Sequence, residues 1–453
     1  MIHPERVKAL NRRPPAGGGY VLYWMQASQR ATQNHALEYA IDLANERSLP
    51  VVTIFYLMDD YPEATQRHYA FMLEGLGKTA SVLRDRGIGT AVLRGSPVDI
   101  VPRLAGQASL VVTDRGYLRH QRRWREEVAE RVDCPMLEVE SDAVVPVEAA
   151  STKAEYAAAT LRPKLGRLLL RYLVPVAERA PKMPLLQLAV DSQRLDTQAD
   201  IDSLLAALPA DRAVRPVTAF HGGATEAMRR LSIFLETKLE GYAAHRSDPS
   251  QDWSSHLSPY LHFGQISPLA VALAANRRSG PDADAFMDEL IVRRELSLNF
   301  VSYNTRYDSL HALPEWARRT LRDHEADARP YTYDQETLED GRTHDAYWNA
   351  AQREMLKTGS MHNYMRMYWG KKLLEWSRSP AEAFATALRL NNRWQLDGRD
   401  PNSYAGVAWC FGMHDRPWAE RPVFGKVRYM NAAGLERKFD MRPYVAQHGR
   451  MMP

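Results

Sequence analysis

Short apolar runs rich in β-branched residues alternate with amphipathic stretches over the first 150 residues. The runs are YVLYW at 20–24, PVVTIFYL at 50–57, GTAVLRG at 89–95 and SLVVTD at 109–114. Between them, stretches such as NHALEYAIDLANERS repeat apolar residues at helical spacing. This alternation predicts an α/β domain over 20–150, with a parallel sheet covered by helices on both faces.

A different pattern follows residue 150. Prolines punctuate short helical pieces, which predicts an interdomain linker over 151–216. From 217 onward helical periodicity dominates, as in GATEAMRRLSIFLETKLEGYAAHR, AFMDELIVRRELSLNFVSY and GSMHNYMRMYWGKKLLEWS. We therefore predict an all-α domain over 217–453, larger than the first domain.

Composition narrows the function classes. The formal net charge of the 453 residues is only +4, so an acidic partner would be recognised through a local patch. Cys134 and Cys410 are the only cysteines, too few for a disulfide framework or a cysteine-ligated metal, which suits the cytoplasm. No stretch approaches the roughly 18 apolar residues of a membrane span. Neither a G-x-G-x-x-G turn nor a phosphate loop is present, so ordinary dinucleotide binding by the α/β domain is not predicted.

Hydroxyl groups crowd the stretch SSHLSPYLHFGQIS at 254–267. Ser254, Ser255 and Ser258 stand beside a predicted helix start. Free backbone N–H groups at such a position favour an anionic phosphate. The same residues are also typical of a simple helix cap followed by proline, so spacing leaves both interpretations open.

The stretch MHNYMRMYWGKKLLEW at 361–376 predicts one helix. Asn363, Met367 and Gly370 share a face, while Trp369 and Trp376 lie two turns apart on a neighbouring stripe. Spacing alone favours the interpretation that both tryptophans are core residues. Arg366 on the same helix would need a carboxylate if buried, and Asp397 and Asp400 are candidates.

Aromatic and basic residues mix in AWCFGMHDRPWAERPVFGKVRYM at 408–430. The cations could bind phosphates while Trp409 or Trp418 stacks on an unpaired base. A solvated surface anchored by tryptophans is the alternative. A second basic stretch at 114–132 also carries Glu126, Glu127 and Glu130, which favours a salt-bridged helix face.

Several segments together resemble one protein family. They are YWMQASQRATQNHAL, STKAEYAAATLRPKL, SSHLSPYLHFGQIS, DELIVRRELSLNF, MHNYMRMYWGKKLLEW and DGRDPNSYAGVAWCFGMHDRPWAERPVFGKVRYM. In sequence and order they are similar to the photolyase and cryptochrome superfamily, specifically the class II cyclobutane pyrimidine dimer photolyases. The resemblance implies a Rossmann-like, antenna-type α/β domain and a helical FAD-binding domain. It further implies light-driven repair of UV-damaged DNA.

The resemblance also implies a cofactor site. Reduced FAD would be held in a bent conformation, with Asn391 facing flavin N5 and an Arg366–Asp397 ion pair beside the isoalloxazine. The residues at the positions of the family's FAD pocket are Tyr242, Ser254, Ser255, His256, Leu257, Ser258, Arg366, Asn391 and Asp397. The α/β domain could hold an antenna chromophore, a deazaflavin or a folate, but no residue pattern identifies it.

By the same resemblance, three tryptophans relay electrons to the flavin. Trp369 would be nearest to it, followed by Trp348 and Trp376. An indole can lend an electron and pass the vacancy outward, and helical spacing permits this arrangement.

The lesion pocket follows from the resemblance as well. Glu289 would hydrogen-bond and polarise the extruded dimer, Asn363 and Met367 would line its pocket, and Trp409 would pack against its rings. The positions expected to contact DNA are Arg246, Arg416 and Arg428. Other branches place a tryptophan where Val292 stands, so the second aromatic wall is unassigned.

Three alternatives remain open. A cryptochrome-like photoreceptor would share the fold, but such proteins often carry a long carboxy-terminal extension, whereas this chain ends soon after VRYMNAAGLERKF. An RNA-binding enzyme would need a phosphate site that the α/β domain lacks. Repair of the 6-4 photoproduct would use a histidine, and His362 and His414 are present. We expect a monomeric, cytoplasmic dimer-repair enzyme without a metal site.

Overall fold

The computed structural model describes residues 2–449 and contains one six-stranded sheet. Its strands are β1 (Val7–Ala9), β2 (Tyr20–Met25), β3 (Val51–Leu57), β4 (Gly89–Arg94), β5 (Ala108–Asp114) and β6 (Met136–Val139). The strand order is β1-β6-β5-β2-β3-β4, with only the edge strand β1 antiparallel to its neighbour. The parallel sheet predicted from the apolar runs is confirmed.

Helices cover both faces of the sheet because the side chains of each strand alternate between two cores. Val21 and Tyr23 of β2 pack with Leu37, whereas Leu22 and Trp24 pack on the opposite face. Every residue of β2, β3 and β5 is buried, as expected for strands covered on two sides. The helices of this domain are His35–Arg47, Gln66–Asp85, Pro97–Ala105, Arg119–Arg131 and Val147–Ala150.

Strands β1 and β6 were not predicted. Each is short, and β6 carries Glu138, which interrupts the apolar pattern. The carboxylate is tolerated there because Arg125 donates to it at 2.7 Å. Burial alone would raise the pKa of Glu138, but the charges of Arg125 and Arg115 outweigh it and lower that pKa.

The segment 151–216 carries two helices, Ala158–Tyr172 and Gln198–Ala207, within mostly irregular chain. Part of it runs along the outer edge of β4, where Gln193 N donates to Val92 O at 2.7 Å. This contact covers a strand edge that would otherwise be free. The predicted domain limits of 20, 150 and 216 stay predictions, and the limit at 453 lies outside the described residues.

The remainder of the described chain is helical, as predicted. Its helices are Ala224–Thr237, Tyr242–His245, Ser258–His262, Pro268–Asn276, Pro281–Met287, Arg294–Tyr303, Glu315–Asp323, Gln335–Glu339, Ala346–Thr358, Asn363–Trp376, Pro380–Trp394, Pro401–Cys410, Ala432–Glu436 and Arg442–His448. A π-helical turn, Asp288–Arg293, separates two of them. None of the helices within residues 2–449 is long and apolar enough to cross a membrane.

Arg67 joins the sheet domain to the helices that carry the site. Its Nη1 donates to Trp394 O at 2.6 Å and to Met355 O at 3.2 Å, and its Nη2 donates to Leu356 O at 2.6 Å. These carbonyls belong to the last turns of the helices Pro380–Trp394 and Ala346–Thr358, where helical donors run out, although Met355 O also accepts from Gly359 N at 2.9 Å. One buried guanidinium therefore fixes two helix ends at once.

Candidate functional site

Two adjoining cavities open in the helical domain. The larger has a volume of about 660 Å³ and is called the large cavity. The other, of about 420 Å³, is called the tryptophan cavity because Trp369 and Trp409 line it. Asn363, Arg366 and Asn402 line both, so the two spaces meet at these residues.

The serine stretch forms one wall of the large cavity. The structure brings six predicted site residues to this wall, namely Tyr242, Ser254, Ser255, His256, Leu257 and Ser258. A helix begins at Ser258 as predicted, but it is only five residues long. The hydroxyl groups of the wall therefore matter more for a ligand than the helix end does.

A charged network lies behind the serines. Asp252 Oδ1 lies 2.6 Å from His256 Nε2, and Lys238 Nζ lies 2.7 Å from Asp252 Oδ2. Burial alone would raise the pKa of Asp252, but the bonds from His256 and Lys238 outweigh it and hold that pKa well below its usual range. The bond between Asp252 and His256 spans a backbone turn in which His256 adopts a φ of 54°.

Cations in the large cavity were missed by the sequence reasoning. Arg229, Arg230 and Lys238 line it from the helix Ala224–Thr237 and the turn that follows. The run MRRLSIFLETKLEG contained the signal, but it was interpreted only as helical periodicity. Each of these cations is already paired with a carboxylate, Arg229 and Arg230 with Glu226 and Lys238 with Asp252. An anionic ligand would therefore be bound by the serines and by the remaining N–H groups of these cations.

An ion pair stands where the two cavities meet. Arg366 Nη2 lies 2.9 Å from Asp397 Oδ1 and 2.8 Å from Oδ2. Asp400, the other candidate partner, instead lies 3.1 Å from His262 Nδ1. The geometry thus decides between the two carboxylates, and it holds a fixed guanidinium at the junction.

Asn391 faces the tryptophan cavity from the helix Pro380–Trp394. Its Nδ2 donates to Asn392 Oδ1 at 3.0 Å, and its Oδ1 accepts from Gln395 Nε2 at 3.1 Å. These bonds fix the orientation of the amide. Asn391 is therefore a rigid polar group on the wall of this cavity.

Three tryptophans, called the tryptophan stack, follow one another in contact from the wall of this cavity into the core. The rings of Trp369 and Trp348 are nearly parallel, at 6° and 6.3 Å between centroids. Trp348 meets Trp376 edge to face at 5.5 Å. Trp369 donates from Nε1 to Gln352 Oε1 at 2.8 Å, and Trp348 donates to Trp369 O at 3.0 Å. The indoles are core residues and neighbours in the predicted order.

The outer end of this stack is covered by other rings. Trp376 is only 1% exposed. Tyr333 and His344 contact it edge to face at 5.4 Å and 5.3 Å, and Tyr331 stacks on His344 at 3.8 Å. Tyr331 is 49% exposed, so the aromatic series continues from the last indole to the surface.

The predicted lesion-pocket residues share the tryptophan cavity. Arg246, Glu289, Asn363, Met367 and Trp409 all line it. Glu289 Oε1 accepts from Arg246 Nη1 at 2.8 Å. The carboxylate comes from the π-helical turn, and such turns shift side chains relative to a regular helix.

Val292 does not contribute to this cavity. It is buried in the neighbouring hydrophobic core with Leu290 and Ile291. Among the described residues, Trp369 is the second tryptophan on the wall of the cavity, beside Trp409. Trp369 is therefore an aromatic residue of this wall that comes from a different helix.

The basic residues near 408–430 alternate with rings in space. Lys371 Nζ lies 4.9 Å from the Trp409 ring, and Arg428 lies 5.8 Å from it. Arg428 also lies 4.8 Å from the Trp418 ring, and Arg416 lies 5.5 Å from the same ring. The pattern forms a cation–π series that runs from a buried lysine to the protein surface.

The other basic stretch behaves in part as predicted. On the helix Arg119–Arg131, Arg123 Nε lies 3.4 Å from Glu127 Oε1 at i, i+4 spacing. Within residues 2–449, Glu126 and Glu130 form no ion pair, so only Glu127 bears out the predicted salt-bridged face.

A smaller cavity of about 90 Å³ lies at the carboxyl edge of the sheet. Met25, at the end of β2, and Met58, just after β3, line it together with Tyr61 and Arg399. Arg399 is buried, and its Nε and Nη2 have no hydrogen-bond partner among residues 2–449. Burial lowers the pKa of this guanidinium.

Comparison with known proteins identifies the family. Residues 21–184 match the model of the DNA photolyase domain. The deoxyribodipyrimidine photo-lyase of Methanothermobacter thermautotrophicus is 51% identical over 98% of this chain and 98% of its own length. The chain belongs to the DNA photolyase family. A second family member, the deoxyribodipyrimidine photo-lyase of Arabidopsis thaliana, is 42% identical over 94% of this chain and 88% of its own length.

Solved photolyase and cryptochrome structures share the fold. A class III photolyase from Agrobacterium tumefaciens superposes with a TM-score of 0.69 at 21% identity, covering 96% of this chain and 87% of its own. A cryptochrome from Synechocystis superposes with a TM-score of 0.72 at 16% identity, covering 97% and 89%. At these identities the likeness concerns the fold, and it confirms the predicted α/β plus all-α architecture.

Proposed function

We propose that this protein is a class II photolyase that repairs cyclobutane pyrimidine dimers in UV-damaged DNA. Light would drive an electron from reduced FAD into a flipped-out lesion. The observation that carries the proposal is the junction of the two cavities at Asn363, Arg366 and Asn402. A space suited to an anionic cofactor opens there directly into a space suited to a pair of bases.

The large cavity fits FAD. Its volume of about 660 Å³ lies within the roughly 300–1,000 Å³ typical of sites for small molecules and cofactors. Ser254, Ser255 and Arg229 would hold the diphosphate, since hydroxyls and a guanidinium donate hydrogen bonds to phosphate oxygens. Arg366, fixed by Asp397, would lie beside the flavin ring at the junction. When bound, reduced FAD would supply the excited electron.

Asn391 suits a position beside the flavin ring. An amide can both accept and donate hydrogen bonds, whereas a carboxylate would oppose an anionic reduced ring. Asn391 donates to Asn392 and accepts from Gln395, so its amide is held without a charged partner. The residue would therefore stabilise the ring without adding negative charge.

The tryptophan cavity would receive the lesion next to the flavin ring, since Asn391 and Trp369 line this cavity and not the large one. Arg246 holds one carboxyl oxygen of Glu289 and so fixes the orientation of the other. That carboxyl group would hydrogen-bond the dimer, while Trp409 packs against its rings and Asn363 and Met367 close the sides. Arg416 and Arg428 would bind the phosphates around the extruded bases.

The tryptophan stack would carry electrons from an external reductant to an oxidised flavin. Trp369 lines the cavity, and Trp348 and Trp376 follow at centroid distances of 6.3 Å and 5.5 Å. Each indole would donate inward and be reduced by the next. This role is separate from repair, which returns the electron and needs no external reductant.

The fit is poorer for an antenna chromophore. Arg399 in the sheet-edge cavity offers unpartnered N–H groups that would suit a polar edge. However, about 90 Å³ is far below the roughly 300 Å³ at which small-molecule sites begin. A whole deazaflavin or folate does not fit this arrangement of side chains, so no step of the proposal depends on one.

Two alternatives are separable by experiment. A photoreceptor of the same fold would bind flavin without repairing DNA. Repair of the 6-4 photoproduct would require a protonated histidine, but burial lowers the pKa of His414 in the tryptophan cavity, and His362 lines the large cavity instead. Membership of the photolyase family removes the support for an RNA-binding enzyme.

The deciding experiment is repair of a duplex with one thymine dimer by purified, reduced protein in blue light and in darkness. The flavin spectrum is recorded on the same sample, and a duplex with one 6-4 photoproduct is the matched control. We expect restored thymine only in light and only from the dimer. Bound flavin without repair would support the photoreceptor, and folded protein that binds no flavin would overturn the proposal.

A further inference from the structure

Lys371 is a buried cation in an unusual place. It lies on the helix Asn363–Trp376 and is 0% exposed. Its Nζ donates to Cys410 O at 2.6 Å and forms no ion pair with any carboxylate among residues 2–449. Its neighbour Lys372 differs, because Glu375 pairs with it at 2.7 Å. Lysines are almost never fully buried without a partner, so this one calls for an explanation.

The ammonium lies directly behind the wall of the tryptophan cavity. Gly370, Trp409 and Cys410 line that cavity, whereas Lys371 does not. Its nitrogen lies 4.9 Å from the Trp409 ring and is bonded to the Cys410 carbonyl. A molecule packed on Trp409 would therefore touch a ring that lies 4.9 Å from a fixed positive charge.

The surroundings do little to cancel this charge. Burial is the largest influence and lowers the pKa of Lys371 to about 8. The titratable groups that face it are Asp415 and the Cys410 thiol, which oppose that change, and Arg428, which adds to it. Burial raises the pKa of the Cys410 thiol to about 11, so this group is neutral near pH 7. In a medium of low dielectric constant, such a charge acts on its neighbours with little screening.

We propose that Lys371 is a positioning residue for repair, whose buried charge favours negative charge on a dimer bound against Trp409. The proposal rests on the proposed function. The electron would enter the dimer from reduced FAD and return after the two carbon–carbon bonds have split. Lys371 would exchange neither an electron nor a proton with the substrate, and it would act only through its field.

The experiment compares repair per absorbed photon from pH 7 to 9.5, using reduced holoenzyme and a duplex with one thymine dimer. We expect the yield of the natural protein to fall as pH rises through about 8, where Lys371 loses its proton. Lys371→Met should be several-fold lower at pH 7 and should lack the fall near pH 8. Lys371→Arg should keep a high yield across the range, since arginine stays charged.

Controls separate this role from packing and from other titrations. Burial raises the pKa of Glu354 in the large cavity to about 7, so this group also titrates within the range of the experiment. The test is therefore the difference between the pH profiles of the natural protein and Lys371→Met, since both contain Glu354. Lys153→Met, at an exposed position, removes the same charge elsewhere and should change nothing. Dark binding of the dimer duplex should stay within about twofold in Lys371→Met, because the charge acts after electron transfer.

The outcomes are distinct. Equal yields and parallel pH profiles for the natural protein and Lys371→Met would overturn the proposal. If Lys371→Arg does not fold, the comparison with methionine still decides. Absence of repair by the natural protein would instead refute the proposed function, and this result is recognised before any variant is made.

Discussion

Replacing Lys371 by methionine should make the protein more stable at neutral pH. Burial lowers the pKa of this ammonium from 10.5 to about 8 in the folded state. At 1.36 kcal/mol for each pKa unit, the charged side chain costs the fold about 3 kcal/mol at pH 7. Methionine fills similar space without that cost.

The free energy of unfolding of the natural protein should increase with pH. Between pH 8 and 10.5 the unfolded chain binds a proton at Lys371 that the folded protein has released, so this residue makes the natural protein more stable as pH rises. The advantage of Lys371→Met should therefore be full below pH 8 and shrink as pH approaches 10.5.

Urea unfolding of both proteins at pH 7, 8, 9 and 10 measures this difference directly. Lys153→Met serves as the matched control, because it removes an exposed ammonium. A Lys371→Met protein that is less stable at pH 7, or whose advantage does not change with pH, would refute the picture of a desolvated cation.

Three further changes test other parts of the site. Trp348→Phe should abolish light-driven flavin reduction by an external reductant while sparing repair by chemically reduced protein, and equal reduction in both proteins would exclude the relay. Asn391→Asp should change which reduced flavin state persists under light, as followed by absorbance; an unchanged spectrum would contradict its place beside the ring. Gly370→Ala should lower unfolding stability by about 1–3 kcal/mol, since the new Cβ would lie 2.6 Å from Cys410 Sγ. Gly166→Ala, with no atom within 4 Å of the new Cβ, should show no such loss in the same melt.

Local pattern was enough to predict much of the fold. The strands β2 to β5 follow from apolar runs, and the helix Asn363–Trp376 follows from its spacing. Strand β6 was missed because Glu138 breaks its pattern, and only the tertiary contact with Arg125 explains that residue. Local periodicity cannot report such a long-range pairing.

The site was harder to predict from residues alone. Spacing could not choose between Asp397 and Asp400 as the partner of Arg366, because the choice depends on how two distant segments meet. Nor could spacing distinguish two adjacent lysines, of which Lys371 lies against the Trp409 ring and Lys372 pairs with a carboxylate. The resemblance to a family named the site residues, and the structure shows which of them share a cavity.

The contacts of Arg67 mean that the sheet domain supports the helical domain directly. The two helix ends that it caps belong to the helices carrying Trp348 and Asn391. If the helical domain were cut free, these carbonyls would lose their buried donor, and the walls of the light-driven site would loosen together. Replacing Arg67 should therefore destabilise both of these helix ends together.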